Sequence, residues 1–417
     1  MKLIVKLLFS SVLVFLVLAT TLLVLVVEDK PKLRERPDIT PEQIARGKQI
    51  FVQNDPRRLA TGTIARASIE QRDLDLAVNY FVNQYMGGVA GLTIKQGRAI
   101  IESTLKLPSN PLGNYLNLTL ELKQTQSLPE IDHLSLGKIR IPGLIANNLS
   151  KIIYSLMLPD ADWKALQAMI RKVRFINKRI IVTYKWHENL PTKLSGAFLP
   201  GQEQHRIEVY QQRLVMLTRA SKRQLSLTEL TQPLFQLANE RSRRGDPIGE
   251  NRAVILVLTL YANRLTLNKI IPSLKSQYRP IWRTVTLNQR NDLSKHYLVS
   301  ATLAAYAGTP LADAIGLYKE LEDSRGGSGF SFIDMTANRA GTLMGELAVQ
   351  SQSQAGKIQA FMSTAQERDI IPETADLPEY LAEQAFNRLY GGLEGAAYQK
   401  MIQQIEHRIA QLPINKQ

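Results

Sequence analysis

The chain contains no cysteine. That excludes disulfides, thiolate nucleophiles and zinc or iron-sulfur centres built on thiolates. Histidine is scarce, five in 417 residues, and no His-Glu-x-x-His pair occurs, so the zinc-protease signature is absent as well. The glycine-rich stretch Gly326-Gly327-Ser328-Gly329 lacks the Lys-Ser/Thr ending of a phosphate-binding loop, and Phe330 stands where a nucleophile elbow needs its last glycine. Basic and aromatic residues are not interleaved, which argues against a nucleic-acid partner. No internal repeat and no low-complexity stretch is present.

What is there begins with charge. The chain carries a formal net charge of +15. Residues 1–220 hold 30 Lys and Arg against 18 Asp and Glu, a net of +12, whereas residues 221–417 hold only +3. The basic half adjoins the longest apolar run. Leu7 to Val27 is uncharged, and at ~1.5 Å per helical residue it spans about 30 Å, the thickness of a bilayer core. No small-x-small cleavage site follows it, so it reads as an uncleaved anchor. Lys2 and Lys6 favour a cytoplasmic amino terminus, while Lys30, Lys32, Arg34 and Arg36 pull the other way. The expected location is the bacterial inner membrane, single-pass, with the bulk of the chain in the periplasm.

The expected fold class is α+β. An anchor over residues 1–28 and a linker over 29–40 lead into an antiparallel-sheet-plus-helix domain over 41–190, and a linker over 191–201 leads into an all-helical domain over 202–417. Thr40-Pro41-Glu42-Gln43 and Ser68-Ile69-Glu70-Gln71 both have the form of helix starts. After Gly87-Gly88 the apolar period becomes two, with a hairpin signal at Gln96-Gly97 and further alternating runs from Tyr115 to Leu122 and from His133 to Ile141. Helices are expected from Leu144 to Leu158 and from Asp162 to Val173, then a strand from Arg179 to Trp186. About five strands result. The run Leu107-Pro108-Ser109-Asn110-Pro111-Leu112-Gly113, followed by Leu136-Gly137-Lys138-Ile139-Arg140-Ile141-Pro142, is similar to lipid-binding-like domains of bacterial envelopes.

Seven basic residues and no acidic one lie between Trp163 and His187: Lys164, Arg171, Lys172, Arg174, Lys178, Arg179 and Lys185. Near an anionic leaflet each exposed one contributes about 1 kcal/mol. Anionic membrane lipid is therefore an expected partner, and an envelope protein is a second.

In the second half, helices are expected near 203–219, near 227–243 behind the Ser226-x-x-Glu229 capping box, and near 247–264 behind Asp246-Pro247. Ala253 to Leu260 is apolar almost without a break and predicts a helix buried on all sides. Asp292 and His296 share a helical face, as do Glu320 and Asp323 on the helix expected after Thr309-Pro310. Ser331 and Asp334 have a helix-start spacing, and Asn338 and Arg339 lie one turn beyond. The candidate catalytic residues are His296, Glu320, Asp323 and Asp334. One histidine with two or three carboxylates suits a metal ion or an acid-base pair, and His296, Glu320 and Asp323 are the candidate metal ligands, the metal itself being unspecified.

The order Asp292-x-x-Lys295-His296, Lys319-Glu320-x-x-Asp323, the glycine-rich loop, then Phe330-Ser331-Phe332-x-Asp334 with Asn338 and Gly341 resembles the motif of YfiM-like and VanZ-like bacterial envelope proteins. The resemblance covers roughly residues 292–341. It implies membrane association and a helical motif, and no established activity. The leading expectation is a noncatalytic envelope protein that binds lipid or a partner, with the motif as a buried polar network. The alternative is a metal-dependent or acid-base hydrolase acting on an envelope lipid or glycan.

Overall fold

The structure, a computed structural model, describes residues 20–34, 62–157, 169–186, 201–267, 279–307 and 328–417, except 22 and 244, with isolated positions between 40 and 60. Contacts divide the chain into two units, residues 1–37 with 47–197, and residues 38–46 with 198–417. The first combines antiparallel sheets with helices. The second is largely helical. Among the described residues no helix is long and apolar enough to cross a membrane, and the apolar run before residue 20 lies outside them.

The first unit contains β1 (Val27–Glu28), β2 (Ile64–Glu70), α1 (Gln71–Met86), β3 (Gly88–Lys95), β4 (Arg98–Lys106), β5 (Tyr115–Lys123), β6 (Glu130–Leu136), β7 (Ile139–Pro142), α2 (Gly143–Met157), β8 (Ile170–Ile176) and β9 (Arg179–Lys185). The large sheet runs β3-β4-β5-β6-β7, with β1 paired to β5, and a second sheet runs β2-β9-β8. The Gln96-Gly97 hairpin forms as its sequence requires, with Lys95 opposite Arg98 and Gly97 at a φ of 74°. Leu92, Ile94 and Ala99 on the large sheet meet Val173 and Phe175 on the small one in a shared core. Alternation turns Glu102, Thr104, Asn117, Thr119, Glu121, His133 and Ser135 to the other face of the large sheet.

Four expectations change here. Among the described residues the strands number nine in two sheets rather than about five. Ser68 lies inside β2, and the helix it was expected to cap begins at Gln71, whose backbone N–H donates to Lys178 O instead. The run from His133 to Ile141 is two strands folded at Gly137-Lys138. Residues 170–173, expected to end a helix, open β8, where cross-strand pairing with β9 outweighs local helical spacing; residues 162–168 lie outside the described residues.

The edge of β3 is covered by helix side chains. Asn79, Asp75 and Gln71, spaced by four along α1, accept from the N–H groups of Ala90, Leu92 and Ile94, spaced by two along β3, at 3.0, 2.6 and 2.7 Å. Four helical residues rise about 6 Å and two strand residues about 6.6 Å, so the two periods match over this length.

Residues 30–33 fall in the segment expected to be a linker, yet they are tied to the sheet. The amide of Asn117 accepts from Lys32 N (3.0 Å) and Thr104 Oγ1 (2.7 Å) and donates to Glu28 Oε2 (2.5 Å) and Lys30 O (2.9 Å). Thr104 Oγ1 in turn accepts from the N–H groups of Lys32 and Leu33. Gly137, at a φ of 53°, lets the β6–β7 turn approach this strap, because a side chain there would overlap the carbonyl oxygen of Val26.

The second unit contains α3 (Gly201–Arg219), β10 (Gln224–Ser226), α4 (Leu227–Ser242), α5 (Pro247–Ala262), β11 (Thr284–Thr286), α6 (Asn291–Ala307), α7 (Phe332–Leu347), α8 (Gln352–Met362), α9 (Glu367–Ile370), α10 (Glu383–Tyr390) and α11 (Ala396–Ala410). The capping box at Ser226 forms, Ser226 N donating to Glu229 Oε2 at 2.7 Å. Helix α5 is the buried centre, packed by α3, α4, α6 and α8. The expectation of an all-helical domain is corrected by a parallel pair, β10 with β11, too short to leave a period in the sequence. Helices α6 and α7 are in backbone contact: any side chain at Gly341 or Gly345 would overlap the carbonyl oxygens of Tyr297 and Ala301. Phe330 and Phe332 of the glycine-loop motif stack among Phe386, Tyr390 and Tyr398, which fastens α10 and α11 to α7.

Ordering the strap costs about 1–2 kcal/mol per residue, while each hydrogen bond returns about 0.5–1.5 kcal/mol, so the strap has little surplus. Asn117→Asp places a carboxylate oxygen against Glu28. We expect residues 27–33 of that variant to lose hydrogen-exchange protection while β3 and β4 keep theirs; unchanged protection of 27–33 would show that Asn117 does not hold the strap.

Candidate functional site

His296 on α6 meets Asp334 and Asn338, four apart on α7. His296 Nδ1 lies 3.1 Å from Asn338 Oδ1, which also accepts from Ser300 Oγ at 3.1 Å. Asp334 Oδ2 lies 3.6 Å from Nε2, so the imidazole stands between an amide and a carboxylate, and the orientation of the Asn338 amide decides which nitrogen carries the proton. A catalytic Asp–His pair needs the N–H directed at the carboxylate. Here the imidazole faces both groups, an arrangement that serves such a pair or a polar network between two helices. Only a protonated imidazole would make an ion pair with Asp334.

The other expected residues are placed as follows. Glu320 and Asp323 lie outside the described residues. Asp334 N donates to Ser331 Oγ at 3.0 Å, so the helix-start role of this pair is present. Asp292 does not join His296 but takes Arg290 in a two-point pair, at 3.2 and 2.5 Å. Burial acts to raise the Asp292 carboxyl, and Arg290 outweighs it, leaving the group below the usual range. Asn338 reaches the imidazole rather than a carboxylate, and Arg339 lies 3.3 Å from Glu406. Between α9 and α10, Asp376 pairs with Arg408 at 2.5 Å and Glu379 with Arg290 at 2.7 Å, so these two carboxylates are engaged within the fold.

A second buried charge cluster in this unit has no counterpart in the sequence reading. Glu250, 4% exposed on apolar α5, accepts from Arg241 Nε at 2.8 Å and Tyr210 Oη at 2.5 Å and lies 3.2 Å from Arg206 Nε. Arg206 also pairs with Glu203 and Asp246, both at 3.1 Å. Burial, then the Glu250 carboxylate, drives the Tyr210 phenol far above its ordinary range. Burial also pushes the Glu203 carboxyl up, despite Arg206. A cavity of about 290 Å³ opens beside the cluster. The signal was a carboxylate one turn before an unbroken apolar run, which cannot be buried without a cation.

In the first unit, Glu121, Asp132 and His133 place one ligand atom each within 4.8 Å of one another. The donor set is of a metal-binding kind. Two guanidinium groups already serve it, however: Arg98 Nη1 is 2.5 Å from Glu121 and 3.7 Å from Asp132, and Arg140 Nη2 is 3.2 Å from His133 Nδ1. A divalent ion would enter against both, so the cluster is better suited to an ion network. On the same face lies a cavity of about 540 Å³.

Of the expected basic patch, Arg171, Lys172, Arg174 and Lys178 are exposed, Lys185 is half-buried, and Arg179 pairs with Glu70 at 3.1 Å. Lys164 lies outside the described residues. Register adds a member that linear clustering missed: Arg66 and Lys172 flank Thr183 on one face of the small sheet.

Glu250→Gln leaves Arg206 and Arg241 facing each other without their shared anion. We expect a loss of about 3–5 kcal/mol in urea unfolding; a loss under about 1 kcal/mol would mean that the arginines re-pair with Glu203 and Asp246. The chain matches no protein-family model, no curated protein and no solved structure.

Proposed function

We propose that the chain is a single-anchor protein of the bacterial cell envelope, its bulk in the periplasm, that binds membrane lipid without catalysis. The observation that carries this reading is the end of the large sheet onto which the strap is tied. β1 joins β5 at Leu116 and Tyr115, and the register brings Lys106 and Gly88 to that same end. There, Met86 (48% exposed) precedes Gly88, Leu112 (38%) lies in the β4–β5 turn and Leu25 (39%) meets the β6–β7 turn through its carbonyl, with Phe81 (57%) in the later turns of α1. The turns at the opposite end, 96–97 and 124–129, expose no large apolar side chain, although Leu144 (79%) and Ile145 (53%) stand exposed where α2 begins beside Ile131. An apolar rim around the point where an anchor enters suits a unit seated on a bilayer. The basic face with Arg66, Lys172 and Arg174 adds attraction to anionic lipid, about 1 kcal/mol for each side chain near the surface. In the second unit the His296 network serves the helical core, and a partner protein of the envelope remains the companion reading for that half.

A hydrolase acting on an envelope lipid or glycan is the second reading, favoured by the approach of His296 to Asp334. Elemental analysis of the full chain, purified without chelator, tests it. A stoichiometric metal that disappears in His296→Ala would promote it, with Glu320 and Asp323 as the next ligands to replace; no metal in either protein leaves the noncatalytic reading in place.

The absence of cysteine makes the leading reading directly testable. Leu112→Cys and Gln126→Cys, each carrying a polarity-sensitive dye, are reconstituted as full chains in anionic vesicles. We expect the dye at 112 to be blue-shifted and shielded from aqueous iodide and the dye at 126 to be fully quenched. Equal quenching at both positions would overturn the seating.

A further inference from the structure

The polar face of the large sheet and the strap enclose the cavity of about 540 Å³ between them. Its walls include Glu28, Lys30 and Lys32 from the strap and Thr119, His133 and Ser135 from β5 and β6. The strap leaves β1 through bends at 29–30 and 32–33, and Glu28, Lys30 and Lys32 all line the cavity.

Most of the polar groups in the walls are spent within the fold. Lys32 Nζ is held by Glu102 at 2.8 Å and donates to Thr119 Oγ1 at 2.9 Å. His133 stands between Glu121 and Asp132, at 3.5 and 3.6 Å. The amide of Asn117 has used all four of its hydrogen-bonding positions. Two donors have no partner among the described residues, the Lys30 ammonium and the Ser135 hydroxyl. Glu28 gives one carboxylate oxygen to Asn117. The cavity therefore presents one anion and one cation, two residues apart, with a hydroxyl donor across from them.

A purely anionic ligand would meet Glu28, and a purely cationic one would meet Lys30 and Lys32. A ligand with both signs separated by a short spacer satisfies all of them. The cavity also borders the end of the apolar run, since Gly137 in its wall lies against the backbone of Leu25 and Val26. We propose that this cavity binds a phosphoethanolamine group, its ammonium against Glu28 and its phosphate against Lys30 and Ser135. The inference rests on the lipid-binding reading for its biological source, because a phosphoethanolamine group is either a lipid headgroup or a soluble ester.

The test is calorimetric titration of the full chain in uncharged detergent with O-phosphoethanolamine, phosphocholine and inorganic phosphate. We expect phosphoethanolamine to bind about tenfold more tightly than the other two. Glu28→Gln keeps an acceptor for Asn117 and should abolish that preference. Lys30→Ala should weaken all three. Neither variant should change the melting temperature, since Lys30 is exposed and the Asn117 contact survives. No saturable binding of phosphoethanolamine by the folded wild-type chain would overturn the proposal, as would a preference that survives both substitutions. Repeating the titration in nanodiscs assigns the source. Loss of the soluble isotherm in phosphatidylethanolamine discs but not in phosphatidylcholine discs identifies the lipid headgroup, and equal isotherms identify a soluble ester. Because the detergent arm does not depend on seating at a bilayer, its failure leaves the labelling result at Leu112 standing.

Discussion

A single amide decides what the first unit can do. Asn117, 7% exposed, uses both lone pairs and both protons at once; three of its four partners belong to the strap, and the fourth, Thr104, is itself bonded to it. A buried amide satisfied in this way tolerates no other arrangement of its neighbours, because any lost bond leaves a desolvated donor or acceptor. Whatever precedes Val27 is therefore delivered to a fixed point on the sheet. A charged, proline-bearing stretch becomes a rigid coupling.

The second unit solves a different problem, how to bring helices close while burying charge. Small residues at 341 and 345 let α6 and α7 touch through their backbones, and that closeness is what allows His296 and Ser300 to share one oxygen of Asn338. Glu250 and its arginines do not add much net stability by themselves, since desolvation offsets most of the attraction. Their effect is on uniqueness: α3, α4 and α5 fit together in the one register that pairs every charge.

The sequence is informative wherever structure follows a local period. The Gln96-Gly97 hairpin, the Ser226 capping box and the buried run from Ala253 to Leu260 are all visible because neighbours in the chain determine them. Ser68 misleads for the same reason: its spacing to Gln71 is a proper helix start, but the N–H groups there are satisfied by β9 and by Lys178 O. Lys172, Val173, Arg174 and Phe175 alternate basic and apolar, a strand pattern too short to stand out beside the helical spacing before it. The strap could not be read at all, since its acceptors lie on Thr104 and Asn117, more than seventy residues away. The candidate site divides likewise. That Asp334 and Asn338 share a helical face is a matter of spacing, whereas the choice of His296 by Asn338, and of Glu250 by two arginines, depends on packing between distant helices.

The side-chain ladder from α1 to β3 has a consequence for association. An unpaired strand edge is a template for another chain, and crowding on a membrane surface would raise the chance of meeting one. On the β3 side alternate N–H groups are already bonded to Asn79, Asp75 and Gln71, so a foreign strand would have to strip a helix from the sheet. At the opposite end of the strand order stands β7, only four residues long and closed by Pro142, which has no N–H to offer. The large sheet is thus poorly suited to growth in either direction, and recognition by this unit falls to its faces and its strap end rather than to strand addition.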